Sequence, residues 1–242
     1  MVFLARRKWH ETTSPTPRME RWPLVLLLLL LALTKFIQPS FGAVGLENLT
    51  RAALPFAFAT AAMAVVVIVG GIDLSVASMM AACSVTVAVL VETLGGIPAI
   101  LITLGVGASM GAVNGGLVVL TRVPDIVVTL AMLYVWEGTA LLILNSPGGS
   151  MVGWMQSSIA GSFIIDGLPK ALILITICVA VLWVPIKRSK LGLSIYATGS
   201  DENAAFRSGV ATGRTRITAY ALGGIFAAMG GISLAMLTGI GE

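Results

Sequence analysis

Seven apolar runs, each near the length that crosses a bilayer, dominate the 242-residue chain. They lie at about Pro23–Phe41, Leu49–Gly70, Leu74–Val91, Ile97–Leu120, Ile126–Leu144, Leu168–Ile186 and Arg216–Ile240. Crossing ~30 Å of hydrocarbon takes about 20 helical residues, and backbone inside lipid must satisfy its own hydrogen bonds. The runs therefore predict an all-α fold, a polytopic transmembrane helical bundle of about seven spans. Charge agrees, since only 11% of residues are charged against about 25% in ordinary soluble domains.

Residues 1–21 hold Arg6, Arg7, Lys8, Arg18 and Arg21 among Ser, Thr and Pro, which makes a polar tail, and residues 22–242 form the membrane domain. No small-residue cleavage pattern follows the first run. It is read as a retained span, with Lys35 snorkelling to the far interface. With the N-terminus inside, twelve cations fall inside or at inner span ends: those five and Arg122, Lys187, Arg188, Lys190, Arg207, Arg214 and Arg216. Only Lys35, Arg51 and Lys170, three in all, fall outside. The positive-inside rule then predicts a cytoplasmic N-terminus and a cytoplasmic loop at about 187–215. Membrane orientation accounts for the net charge of +4 better than nucleic-acid binding does. Cys83 and Cys178 sit in apolar runs without CxxC or Cys/His spacing, and His10 lies in the polar tail. No disulfide framework, metal site or cofactor is expected.

Between the second and third runs, Gly70-Gly71-Ile72-Asp73-Leu74-Ser75 is too short for a relaxed loop. Two glycines loosen the helix, and Asp73 or Ser75 can cap the helix that restarts. A broken helix facing a solute pathway and a simple interfacial cap both fit. In the fourth run Gly107, Gly111 and Gly115 form GxxxG steps, with Asn114 beside them. Such steps let another helix approach closely, and Asn114 either joins helices or meets a polar solute. Glu137 lies mid-run beside Trp136 and Tyr134. Facing lipid would cost at least ~2–3 kcal/mol, so it is expected to turn toward the bundle interior or a wet cavity, with Trp136 able to stack on a sugar ring. Trp154 and Met155, in the long outer segment at 145–167, are expected to ride on the surface as a short amphipathic helix.

One polar island, Ile195–Ile217, interrupts the last third of the chain. Ser200 is expected as N-cap, Asp201 and Glu202 in the first turn, Arg207 in the last turn and Gly209 as the stop of a helix of two to three turns. A helix so short needs a partner for stability.

Taken together, Gly70 to Ser75, Gly111-Ala112-Val113-Asn114-Gly115, Val123-Pro124, Val128-Thr129-Leu130, and the island from Tyr196 to Ala205 with Ser208-Gly209 resemble the permease subunits of bacterial ribose-type ABC importers. The likeness runs from about residue 52 to the end. It implies an inner-membrane subunit that receives a sugar or related solute, such as autoinducer-2, from an extracytoplasmic solute-binding protein. It further implies a permease homodimer or heterodimer, driven by a separate cytoplasmic ABC ATPase. In the family the island docks in that ATPase, which would assign Gly199, Ser200, Asp201, Glu202, Asn203, Ala204, Ala205, Ser208 and Gly209 to the coupling contact. Asp73, Asn114, Trp136 and Glu137 are the candidate solute-pathway residues. Two residues depart from the family pattern: Glu137, where a basic residue is common, and Asp125, where an apolar or small one is. Family members continue past the span that ends near Ile240, so a chain ending at Glu242 is expected to be truncated.

The chain carries no Gly-x-x-x-x-Gly-Lys-Ser/Thr phosphate loop, so energy for transport must come from another chain. A secondary transporter or channel would have only Asp73 and Glu137 as membrane acids. An intramembrane enzyme lacks a metal cluster, a Ser/His pair and a thiol beside a base. A structural or regulatory membrane protein stays open.

Overall fold

The computed structural model describes residues 22–39, 41–161 and 168–242. The polar tail and part of the outer segment lie outside the described residues. Among those described there are ten α-helices: α1 Trp22–Ile37, α2 Ala43–Ile68, α3 Val76–Leu94, α4 Gly96–Thr121, α5 Asp125–Ile143, α6 Gly153–Ile159, α7 Lys170–Arg188, α8 Lys190–Ser200, α9 Glu202–Arg207 and α10 Thr212–Thr238. Six of them (α2, α3, α4, α5, α7 and α10) are long and apolar enough to cross a membrane, and α1 is a shorter apolar helix of 16 residues. The all-α polytopic bundle is as expected.

Two units divide the chain, residues 1–42 and 43–242. In the first, the Lys35 ammonium donates to the carbonyls of Pro39 (2.7 Å) and Phe41 (2.6 Å), so its charge closes the turn after α1.

In the second unit α10 is the central helix. It packs on α4, α2 and α3, and small residues face each of them. Toward α4 the register is antiparallel: Gly107 meets Gly224 and Ala228, Gly111 meets the Tyr220 carbonyl, and Gly115 meets Ile217 and Tyr220. A Cβ on Gly115 would come within 2.9 Å of the Ile217 Cα, and on Gly107 within 2.6 Å of the Ala228 Cβ. The stripe therefore works as the close-packing device that its spacing suggests. Gly223 faces Val66 of α2, and Gly230 and Gly231 face Met80 of α3.

Helices α8 and α9, the α2–α3 connection, the α4–α5 joint and the start of α10 gather at one end. Gly199 of α8 lies so close to the Ile68 carbonyl of α2 that no side chain fits between them. At the opposite end α6 packs with Met155 and Ile159 fully buried and Trp154 half exposed. The expectation that Met155 rides on the surface is corrected, because the i, i+4 pair Met155/Ile159 turns inward and leaves Trp154 outside. Residues 148 and 241 close this end by exchanging backbone hydrogen bonds of 3.1 and 2.7 Å.

Two boundaries shift from the hydropathy reading. Helix α2 starts at Ala43 and takes in Glu47, and α10 starts at Thr212 and takes in Arg214. A hydropathy run stops at charge, whereas a helix continues while its backbone bonds are made.

The glycine stripe yields a graded test. Gly111→Leu overpacks the α4–α10 contact and should lower stability by at least about 1–3 kcal/mol. Gly116→Ala, whose Cβ would meet nothing within 4 Å, should stay within about ±0.5 kcal/mol. Denaturant unfolding in detergent compares the two.

Candidate functional site

The chain leaves α2 at Ile68, takes a left-handed φ of +85° at Gly70, where glycine avoids Cβ strain, and restarts as α3 at Val76. Asp73 is only 2% exposed there. Its Oδ1 accepts from the Ser75 backbone N–H (2.9 Å) and the Ser75 hydroxyl (2.7 Å). The Asn114 amide donates to Ser75 Oγ at 2.7 Å and lies 3.5 Å from Asp73 Oδ2, while Asn114 Oδ1 accepts from the Trp136 indole at 3.1 Å. Donors thus point one way, from Trp136 through Asn114 and Ser75 to the carboxyl. Asn114 lies seven residues inside the α4 end at Thr121, about 10 Å of rise, and Trp136 eleven residues inside the α5 start at Asp125, about 16 Å. The break therefore re-enters the bundle; Ser75 is the N-cap of the restart, and Asp73 bonds Ser75 itself rather than an N–H of the first turn.

Three of the four pathway candidates, Asp73, Asn114 and Trp136, come together. Glu137 does not join them. Helix α5 buries Val128, Met132 and Ala140, with Trp136 half-buried between them, so its inward face recurs every fourth residue. Glu137 is turned about 100° away by the helical period, and it is exposed on this chain's surface. The expectation that it faces the interior of this bundle is corrected by that periodicity.

Nearer the same end, Arg216 of α10 binds Asp125, the first residue of α5. One guanidinium nitrogen, Nη2, donates to both carboxylate oxygens at 2.8 and 2.7 Å. Its other terminal nitrogen lies 3.5 Å from Glu202 of α9. Tyr220, one turn further along α10 and fully buried, donates to Asp125 Oδ2 at 2.7 Å and lies 3.4 Å from the Ile72 carbonyl. Thr129 accepts from the Leu74 backbone N–H at 3.2 Å. The break is thus held from α5 and α10 as well as from α4.

The polar island folds as two helices rather than one. Ser189 caps α8 by accepting from Gly192 N–H at 3.2 Å. Ser200 is the last residue of α8, and Asp201 is the N-cap of α9, in extended backbone with Oδ1 accepting from Ala204 N–H at 2.9 Å. The expected Ser200 cap is corrected to Asp201, because Ser200 still belongs to α8 and Asp201 is the first residue in extended backbone after it. Glu202 and Arg207 sit in the first and last turns, and Gly209, at φ +86°, ends the helix as expected. Gly199, Ser200, Asp201, Glu202, Asn203, Ala204, Ser208 and Gly209 are exposed, with the inner side of Gly199 against α2, while Ala205 is buried. Phe206 is 69% exposed on this short helix. It stands in the island with no motif marking it, and only the helix register shows that it points outward.

The buried chain of donors generates a test. Asn114→Ala leaves the Trp136 N–H without its acceptor and Ser75 without its donor, and should cost about 1–3 kcal/mol. Asn114→Ala and Ser75→Ala should be non-additive by more than about 0.5 kcal/mol in a double-mutant unfolding cycle, and additive costs would mean that the cluster is not one network.

Comparison with known proteins places this arrangement. A family model described as "Branched-chain amino acid transport system / permease component" matches residues 45–242. The autoinducer 2 import system permease protein LsrD of Escherichia coli O9:H4 (strain HS) is 32% identical over 180 residues, covering 71% of this chain and 54% of that protein. The proteins of the same name from Escherichia coli (strain K12) and Shigella flexneri show the same 32% identity over 71% of this chain and 54% of theirs. The chain thus spans about half the length of the curated relatives it matches. No solved structure matches it significantly. A match over most of the chain, on a bundle of membrane-length helices, establishes that the chain belongs to the branched-chain amino acid transport system / permease component family.

Proposed function

We propose that the chain is a membrane-spanning permease subunit of an ATP-driven ABC importer for a sugar or related small polar solute, lying in a bacterial inner membrane with its N-terminus in the cytoplasm. It takes the solute from an extracytoplasmic binding protein and pairs with a second permease chain. A separate cytoplasmic ATPase supplies the energy. The observation that carries this reading is α9, a capped six-residue helix with its polar residues and Phe206 turned outward. Nothing in so short a helix stabilises it alone, so an exposed aromatic on it fits a partner's pocket better than water. The excess of cations at the same end, including Arg122, Lys187, Arg188, Lys190 and Arg207, supports a cytoplasmic position. The names of the relatives support a sugar-like solute over an amino acid.

In this reading Asp201, Glu202, Asn203, Ala204, Ser208 and Gly209 meet the ATPase. Ser200 and Gly199 set the approach of α9, and Ala205 anchors it from beneath. Asp73, Asn114 and Trp136 hold the re-entrant break along the solute pathway. Glu137 is the pathway candidate whose carboxylate is free to meet solute, on a face of α5 that a second permease chain would enclose. A carboxylate there is too costly to leave against lipid.

Two measurements test the reading. Phe206→Ala should weaken co-purification with the cognate ATPase about tenfold or more, as expected for an interface anchor, and deletion of residues 200–208 should abolish it while membrane insertion persists. Retained association would sink the docking role. Glu137→Gln should change the rate of solute uptake in a reconstituted importer without changing subunit assembly, and unchanged kinetics would remove Glu137 from the pathway.

A further inference from the structure

One side chain touches both the proposed docking helix and the group of residues that holds the break. Arg216 sits in the second turn of α10 with its side chain 19% exposed. Through Nη2 it grips both oxygens of Asp125, whose side chain is 16% exposed, and through Nη1 it reaches Glu202, whose side chain is 50% exposed. The two arms are unequal. The first is short, two-pronged and mostly shielded; the second spans 3.5 Å at a half-exposed carboxylate. Paired contacts of the first kind are strong and directional, whereas an exposed pair of the second kind adds little stability and is readily exchanged.

Asp125 passes the hold onward. Its Oδ2 accepts from Tyr220, which in turn lies against the Ile72 carbonyl. Gly71 lies in the same corner: a Cβ there would come within 2.8 Å of the Tyr220 hydroxyl and 2.9 Å of Asp125 Oδ2. A displacement of Asp125 or of the base of α10 therefore has no free space to disappear into before it reaches residues 71 and 72. One turn inward, the Leu74 N–H is held by Thr129 of the same helix.

We propose that Arg216 is the positioning residue that ties movement of α9 to the re-entrant break at residues 70–75. The Glu202 arm makes and breaks as α9 is drawn by its partner, and the Asp125 arm holds α10 and α5 together so that the movement reaches the break. The inference rests on the reading of α9 as the docking helix. Arginine suits the role because its two terminal nitrogens serve two carboxylates on separate elements at once. A lysine ammonium is one nitrogen on a shorter stem, so it has no second nitrogen to reach Glu202 while it holds Asp125. The proposal also gives a task to Asp125 at the first residue of α5.

The test uses the full chain in nanodiscs, alone and with its ATPase. In the chain alone, Arg216→Lys should raise deuterium uptake both at residues 202–209 and at the distant 69–75 segment, the latter by about tenfold in exchange rate for a lost two-pronged hold. Glu202→Gln lies on a half-exposed side chain and leaves the fold intact. It should raise uptake at 202–209 by about threefold or less, as for an exposed pair. In the reconstituted importer Arg216→Lys should keep the ATPase bound while solute moved per ATP falls. Unchanged exchange at 69–75 or an unchanged ratio of solute to ATP in Arg216→Lys overturns the proposal. Failure of the docking reading is seen separately, as a wild-type chain that does not retain the ATPase; the exchange arm then decides on the tie by itself.

Discussion

The approach of α4 to α10 is the contact on which the rest of this molecule depends. Gly107, Gly111 and Gly115 let the two backbones come closer than any side chain would allow, and Gly224 and Ala228 answer them from α10. In a bilayer, where lipid tails are as apolar as leucine, such shape fit replaces the hydrophobic effect as the force between helices. The same contact sets the polar chemistry. Gly111 receives the Tyr220 carbonyl, and the Tyr220 hydroxyl reaches Asp125 on α5. Packing and hydrogen bonding are therefore two sides of one turn of α10.

Polar groups inside an apolar bundle are tolerated when they bond one another. Asp73 would be costly at depth, yet it accepts two bonds from Ser75 and stands at the end of a line of donors drawn from α4 and α5. Asp125 is met by a two-pronged arginine and a tyrosine. These groups fasten a break that would otherwise leave free backbone inside the membrane, so the irregular segment becomes a defined structural part. Glu137 follows the opposite logic. It makes no such bond among the described residues and is exposed on the chain's own surface.

The spans were legible in the sequence because transfer into lipid is a property of each stretch taken by itself. The purpose of the glycine stripe was legible for a related reason, since spacing of four places residues on one helix face. Reading failed where two local rules competed. Ser200 and Asp201 are both cap residues in adjacent positions, and only the course of α8 decides between them. Helix α8 was missed altogether. Its 11 residues form no long apolar run, and its position depends on Gly192 and Gly199 meeting the carbonyls of other helices. Glu137 is exposed where the bundle interior was one of its two expected surroundings, because hydropathy does not set rotation, which comes from the neighbours present.

By itself the sequence determined the class of molecule: an all-α membrane bundle, interrupted at Gly70–Ser75, with a polar island between its last two spans. Those properties follow from composition and from periods of a few residues, which are local. The tertiary structure alone decided that Asn114 meets Asp73 across 41 positions, that Trp136 meets Asn114 across 22, and that Arg216 meets Asp125 across 91. No local period relates such pairs. They meet because glycine allows α10 into the centre of the bundle, and from there its first turns touch α5, the break and α9 together.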